Sequence, residues 1–193
     1  MPAYTILLAS ASPRRREILE SLGHRVHVRA TSIDESEREG EAPDAYLSRV
    51  VNGKLAAARA LVDPPEHDAI VVADTTVVVD AQLLQKPIDD DDARRMLRAI
   101  AGRDHLVTTR FAVANARASR QQSVVTRVSV RAMEPAEIEA YVATGEGRDK
   151  AGGYAIQGRG ASFVARIDGS YGAVVGLPAC EVELALRAVM ARG

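Results

Sequence analysis

The run AIVVADTTVVVD, residues 69–80, is the most strongly β-forming stretch in the chain, because β-branched side chains sit well on a pleated sheet. Its neighbours along the sequence decide what kind of sheet that must be. Tyr4 to Ala9 reads as a buried strand, and Val26, Val28 and Ala30 alternate as a half-buried second one. Between them Ser12 is placed as a helix N-cap and Pro13 as the first helical residue, with Ile18, Leu19 and Leu22 on one face and Gly23 closing the helix. Pro43 opens a long helix on which Leu47, Val50, Val51, Ala58 and Leu61 keep helical spacing. A turn is expected over 63–68. The acids Asp89 to Asp92 then begin a helix that runs through Met96, Leu97 and Ile100 to Gly102. Strand-like segments follow near 106–114 and 123–133, then a helix from Pro135 to Gly145 and a structured glycine-rich loop over 145–160. A strand near 162–167 and a helix from Pro178 complete the chain. This alternation predicts an α/β protein with a mixed twisted sheet and flanking helices.

With 193 residues, 47% of them apolar, the chain can bury a sizeable core in one domain or in two lobes sharing a cleft. Aromatic residues are only 4% and Trp is absent, so that core is aliphatic. A net charge of −1 argues against bulk electrostatic capture of nucleic acid. Any anion binding must come from local clusters such as Arg14, Arg15 and Arg16. Cys180 is the single cysteine, which leaves no internal disulfide and no Cys-based metal cage, and it is expected to pack as a small apolar residue. Apolar runs of about five residues fall far short of the ~20 needed to span a bilayer. No basic residue precedes the first apolar stretch as it would in a signal peptide. A soluble cytoplasmic protein with no membrane partner is expected.

Several polar residues stand at chemically suggestive places. A strand that turns tightly into a helix N-terminus binds anions, since the first N–H groups lack partners and the dipole is positive there. Ser10 and Ser12 could add hydroxyl donors, and Arg14 and Arg15 could grip phosphate oxygens in a bidentate way. Three arginines at a helix start oppose the dipole, so they call for a reason beyond solvation. Asp74 sits where the apolar strand turns polar, beside Thr75 and Thr76, and such a carboxylate binds metal, acts as a base or caps a turn. Lys54 shares the apolar stripe of its helix, where it either snorkels to solvent or reaches into a cleft. Lys86 and Glu35, taken singly, read as surface residues. Asp89 to Asp92 read as acids complementing a helix dipole, the four histidines show no ligand spacing, and "NGK" at 52–54 is no P-loop. Collected, two carboxylates, two lysines, an arginine pair and hydroxyls form an inventory for metal-assisted chemistry on a polyphosphate.

The ordered motifs LASASPRRREIL, IDES, NGKLAAA, ADTTVVVD, QKP, GRDHLVTTR, GEGRDKAGGYAIQGRGASFV and VVGLP run nearly end to end. In them the chain resembles the Maf family of nucleoside triphosphate pyrophosphatases. That resemblance implies one Maf-like domain over 1–193, with two lobes around a deep cleft, a fold shared with inosine-triphosphate pyrophosphatases, and a homodimer. It implies hydrolysis of a nucleoside triphosphate to the monophosphate and pyrophosphate with Mg2+, Mn2+ or Co2+. Carried across, Asp74 matches the catalytic base and a metal carboxylate, and Glu35 the other metal carboxylate. Ser10, Arg15, Lys54 and Lys86 match phosphate-binding residues, while Arg14, Thr75 and Gln157 match positions linked to base choice. The stretch DKAGGYAIQG resembles the dTTP/UTP branch, and a glutamine amide suits the O4 and N3–H edge of thymine or uracil. The alternatives are the same chemistry on another base such as 7-methyl-GTP, or a nucleotide-binding regulator of cell division without catalysis. Arg110, where many relatives carry glycine, and Ala173, where a polar residue is common, depart from the family pattern.

Overall fold

A computed structural model describes residues 2–61 and 66–191. The turn expected over 63–68 begins outside the described residues. Among the described residues seven strands join in one mixed sheet of order β2-β1-β3-β5-β6-β7, with β4 pairing onto β3. These are β1 (Thr5–Leu8), β2 (Arg25–Val28), β3 (Ala69–Val79), β4 (Gln82–Leu84), β5 (Asp104–Ala114), β6 (Ser119–Val130) and β7 (Val164–Asp168). The helices are α1 (Pro13–Ser21), α2 (Pro43–Ala60), α3 (Asp90–Ile100), α4 (Pro135–Val142), α5 (Tyr171–Val175) and α6 (Ala179–Met190). The chain divides into two compact units. The first comprises Met1–Asp74, Thr109–Val124 and Gly176–Gly193, and the second Thr75–Thr108 and Val125–Val175.

In the first unit β1 pairs parallel with both β2 and β3. Parallel pairing needs a crossover, and α1 and α2 supply it. Alternation along β3 sends Val71 and Ala73 to one face, where they pack with Leu19 of α1 and Val182, Leu186 and Val189 of α6. Ile70 and Val72 go to the other, against Val51, Leu55 and Ala58 of α2. Helix α1 ends in a Schellman motif: the Gly23 N–H donates to Glu20 O and the His24 N–H to Leu19 O, with Gly23 at φ +89°. That is the conformation a side chain resists and glycine accepts. Its start departs from expectation. Ser12 occupies the N-cap position, yet its side chain makes no cap bond. The second strand is also less buried than its alternation suggests, since Val28 is 44% exposed at the sheet edge and Ala30 lies beyond the strand.

The second unit is built on α3. The Asp92 N–H donates to the Asp89 carboxylate at 2.8 Å, and Asp90, Asp91 and Asp92 fill the first turn, so the acid run serves the helix dipole as the sequence indicates. Met96, Leu97 and Ile100 are buried against Val77, Val128, Ile138 and Tyr141, each worth about 1.5–3 kcal/mol. Two elements are additional to the sequence reading, the short hairpin strand β4 and the five-residue α5. Cys180 also differs from expectation: it is exposed on α6 rather than packed. Among the described residues no helix is long and apolar enough to cross a membrane.

A buried pair in this unit makes stability depend on pH. His105 Nε2 and the Tyr154 hydroxyl lie 2.7 Å apart, and burial, slightly opposed by Asp104, lowers the imidazole pKa to about 4. The imidazole is therefore neutral in the fold, whereas the unfolded chain takes up a proton near pH 6.5. Stability should fall as pH drops from 6.5 towards 4, by about 3 kcal/mol in all. Thermal midpoints measured across that window should fall more steeply for the natural protein than for His105→Gln. Parallel curves would remove His105 as the cause.

Candidate functional site

The carboxyl end of β1 lies beside the start of β3, with Leu8 pairing with Val71 and the Ala9 N–H donating to Val71 O at 3.0 Å. Asp74 stands in the middle of β3, which runs on to Val79, and not at the strand end that the sequence suggested. In α/β sheets ligands gather at the carboxyl ends of strands, and β1 supplies such an end here. Asp74 follows Ile70 and Val72 on the face of β3 that α2 covers, because side chains two apart share a face. Lys54 projects from the apolar side of α2, beside Val51, Leu55 and Ala58. Its ammonium therefore meets Asp74, donating to Oδ1 at 2.7 Å. Glu35 Oε1 lies 3.1 Å from the same nitrogen. Lys54 is 7% exposed and Asp74 9%. A buried ammonium is tolerated only with such partners. Of the two options the sequence left for Lys54, it reaches inward.

Arg15 lies next to this group. Its Nε donates to Gly176 O at 2.8 Å and its Nη1 to Ser10 Oγ at 3.0 Å, so the guanidinium ties the end of β1 to the approach to α6. Burial pulls the Arg15 pKa below the ordinary arginine value. The Asp74 carboxylate opposes that shift, neighbouring Arg14 adds to it, and Glu35 opposes it. Ser10 Oγ also accepts from the Ser12 N–H at 3.2 Å. The arginine run thus splits. Arg15 belongs to the site, Arg14 is half-buried with its Nε lacking a hydrogen-bond partner among the described residues, and Arg16 pairs with Glu20 at the surface.

Glu35 stands on an irregular loop, and α2 holds that loop in ways the sequence reading missed. Arg49 donates Nε and Nη2 to the two Glu41 carboxylate oxygens, each at 2.6 Å. The same guanidinium donates to Ser36 O at 2.8 Å and Asp34 O at 3.3 Å. The Tyr46 hydroxyl donates to Glu35 O at 3.1 Å, and the Arg49 cation sits 5.5 Å from the Tyr46 ring centroid. At Gly53 a Cβ would come 3.1 Å from the Ile33 side chain, so glycine leaves room for the loop to lie against the helix. The available signal was an arginine beside the buried positions Tyr46, Leu47 and Val50.

Thr75, Lys86 and Gln157 belong to the second unit and stand on three separate elements. Thr75 is half-buried on β3, Lys86 is exposed after β4, and Gln157 is exposed between two short 3-10 turns. The segment carrying Gln157 is pinned at both ends. The Ala155 N–H donates to the Tyr141 hydroxyl at 3.0 Å, and the Arg159 and Gly160 N–H groups donate to Glu146 at 2.9 Å. Burial works to raise the Glu146 pKa, but those N–H groups and the Tyr141 hydroxyl outweigh it and hold the carboxylate below its ordinary value.

Among the described residues no three His, Cys, Asp or Glu side chains cluster closely enough to cage an ion. A Mg2+-like ion does not ask for such a cage, since one or two carboxylates and substrate phosphates commonly complete its shell. Glu35 and Asp74, converging on one cation, are a donor set of that kind.

Fold and site define a class: α/β proteins in which carboxylates and fixed cations converge beside the carboxyl end of a parallel strand. The family model described as Maf-like protein matches residues 5–189. The dTTP/UTP pyrophosphatase of Shewanella oneidensis is 44% identical over 183 residues, covering 92% of this chain and 94% of that one. The dTTP/UTP pyrophosphatase of Chromobacterium violaceum is 46% identical over 184 residues, covering 94% and 92%. The chain belongs to the Maf-like protein family. Among solved structures, the Ham1 protein of Staphylococcus aureus overlaps 65% of this chain and 71% of its own with a TM-score of 0.42 and 12% identity, too slight a likeness to carry an argument.

Proposed function

We propose that this chain is a nucleoside triphosphate pyrophosphatase that converts dTTP and UTP to the monophosphate and pyrophosphate. The observation that carries the proposal is the buried Lys54–Asp74 pair, with the half-exposed Glu35 carboxylate on the same ammonium and Arg15 beside it. The names of its 41–46% identical relatives support both the reaction and the bases. A divalent ion, Mg2+, Mn2+ or Co2+, would be held by Glu35 and Asp74 and supply polarisation of phosphate oxygens. Asp74 orients a water at the α–β anhydride and takes its proton as the new P–O bond forms and the bridging P–O bond breaks. Lys54, Arg15 and Ser10, together with Lys86, hold the phosphates and offset the charge that gathers on the departing pyrophosphate. Arg14, Thr75 and Gln157 select the base, the Gln157 amide both donating and accepting along a pyrimidine edge.

The same reading takes residues 1–193 as one Maf-like domain, a cytoplasmic homodimer acting on small nucleotides rather than on nucleic acid or at a membrane. The near-neutral net charge of −1 supports the choice of small nucleotides.

The test is pyrophosphate release from dTTP, UTP, CTP, GTP and 7-methyl-GTP, each with Mg2+ and with Mn2+. Equimolar pyrophosphate and monophosphate from dTTP and UTP is the expected result. Turnover of 7-methyl-GTP alone would keep the chemistry and overturn the role of Gln157. A folded protein inert across the panel would overturn the enzyme reading in favour of a nucleotide-binding regulator.

A further inference from the structure

The loop bearing Glu35 has no regular backbone structure to fix it, yet its carboxylate reaches Lys54 at 3.1 Å. Something must hold the chain there, because ordering an irregular loop costs about 1–2 kcal/mol per residue in backbone entropy. The holding groups are on α2, the helix that also presents Lys54. Arg49 and Tyr46 donate to the loop at the carbonyls of three successive residues, Asp34, Glu35 and Ser36. Arg49 then closes the loop's far end through its two-toothed bond to Glu41. That bond raises the Arg49 pKa and holds the Glu41 carboxyl below its ordinary value. Inside the loop the Ser36 N–H and hydroxyl both donate to the Asp34 carboxylate, at 2.9 and 2.5 Å. Tyr46 is 3% exposed and serves as a fixed floor for the guanidinium.

Residue type matters at each of these places. The planar fork of arginine bonds Glu41, Ser36 and Asp34 at once from a single position, a pattern that an ammonium on a flexible stem does not reproduce. Lys54 lies five residues after Arg49 on the same helix, so α2 sets the position of Glu35 and of its partner cation from one rigid element.

We infer that Arg49, seated on Tyr46, is the positioning residue for Glu35: it fixes the 34–36 backbone so that the Glu35 carboxylate stands beside Asp74 on Lys54, and in doing so sets the affinity of the site for a divalent cation. The inference rests on the reading of Glu35 as a metal carboxylate.

The test measures Mn2+ binding directly, by loss of the free-ion electron paramagnetic resonance signal in the nucleotide-free full-length protein. It compares the natural protein with Arg49→Lys, Glu35→Gln and the double variant, and circular dichroism reports whether each is folded. Glu35→Gln and Arg49→Lys should each weaken Mn2+ binding by about tenfold, and the double variant should lose little more than either, since two residues acting through one carboxylate are not additive. Tyr46→Phe, which keeps the ring and drops only the hydroxyl bond to Glu35 O, should weaken binding by a smaller factor of about three, and it decides the matter if Arg49→Lys does not fold. Additive losses in the double variant, or natural Mn2+ affinity in Arg49→Lys alongside a weakened Glu35→Gln, would overturn the positioning role while leaving Glu35 as a ligand. Natural affinity in Glu35→Gln would overturn the metal reading of Glu35 and this inference with it.

Discussion

Asp74→Asn should lower the turnover of dTTP and UTP by about a thousandfold while leaving nucleotide affinity within about tenfold, because general-base catalysis is commonly worth 10²–10⁴ and binding rests on other groups. The substitution is nearly isosteric, and the amide oxygen can still accept from the Lys54 ammonium that now sits 2.7 Å from Oδ1. What disappears is the charge and the ability to take a proton from water. A triphosphate does not need that carboxylate in order to bind; its removal relieves like-charge repulsion in the site. Pyrophosphate release gives the turnover, and calorimetry with an α,β-imido nucleotide gives the affinity. A variant retaining more than a tenth of the natural turnover would take the base role away from Asp74 and leave Glu35 as the carboxylate to examine next.

Lys54→Met should be costly in a different way. The methionine fits the apolar side of α2, but it strands Asp74, whose side chain is 12% exposed, without its cation. Breaking one partner out of a buried ion pair commonly costs 3–5 kcal/mol. At about 2–4 °C per kcal/mol for a chain of this size, the thermal midpoint should drop by roughly 6–20 °C. Turnover should be lost as well, since a fixed cation has been withdrawn from the phosphates. Millimolar Mn2+ should restore part of the lost midpoint in the variant and change the natural protein much less, because in the variant Glu35 and Asp74 lack the ammonium that stood between them. Equal Mn2+ shifts in the two proteins would show that the cation between Glu35 and Asp74 is not exchangeable for a metal.

The parts of this site that could be read from the sequence are those governed by short-range periodicity. Lys54 announces itself because it stands on the same stripe as Val50, Val51 and Ala58, and Asp74 because it interrupts an apolar β-forming run, although the strand continues past it to Val79. Those two periods, three to four on α2 and two on β3, are enough to bring the pair together once α2 covers β3. The clasp on Glu35 was not legible. It depends on Arg49 meeting the carbonyls of a loop some 13 to 15 positions earlier, and carbonyls carry no residue identity. The β3–β4 hairpin was missed for a local reason. Its two-residue turn is Asp80-Ala81, both at positive φ, where the usual signal is a glycine; Arg103, donating to both Asp80 carboxylate oxygens, helps hold the turn. Ser12 shows the opposite failure. The residue type and position of an N-cap were both present, but Ser10 takes the Ser12 N–H and the Ser12 side chain makes no cap bond.

The single cysteine of the chain is exposed near the start of α6, four residues after the Gly176 carbonyl to which Arg15 donates. A thiol-reactive dye has one address in this molecule, and that address lies just beyond the contact that ties Arg15 to the approach to α6. The natural sequence therefore supplies its own labelling point: a fluorophore on Cys180 sits on the segment that follows the Arg15–Gly176 contact, without a single substitution.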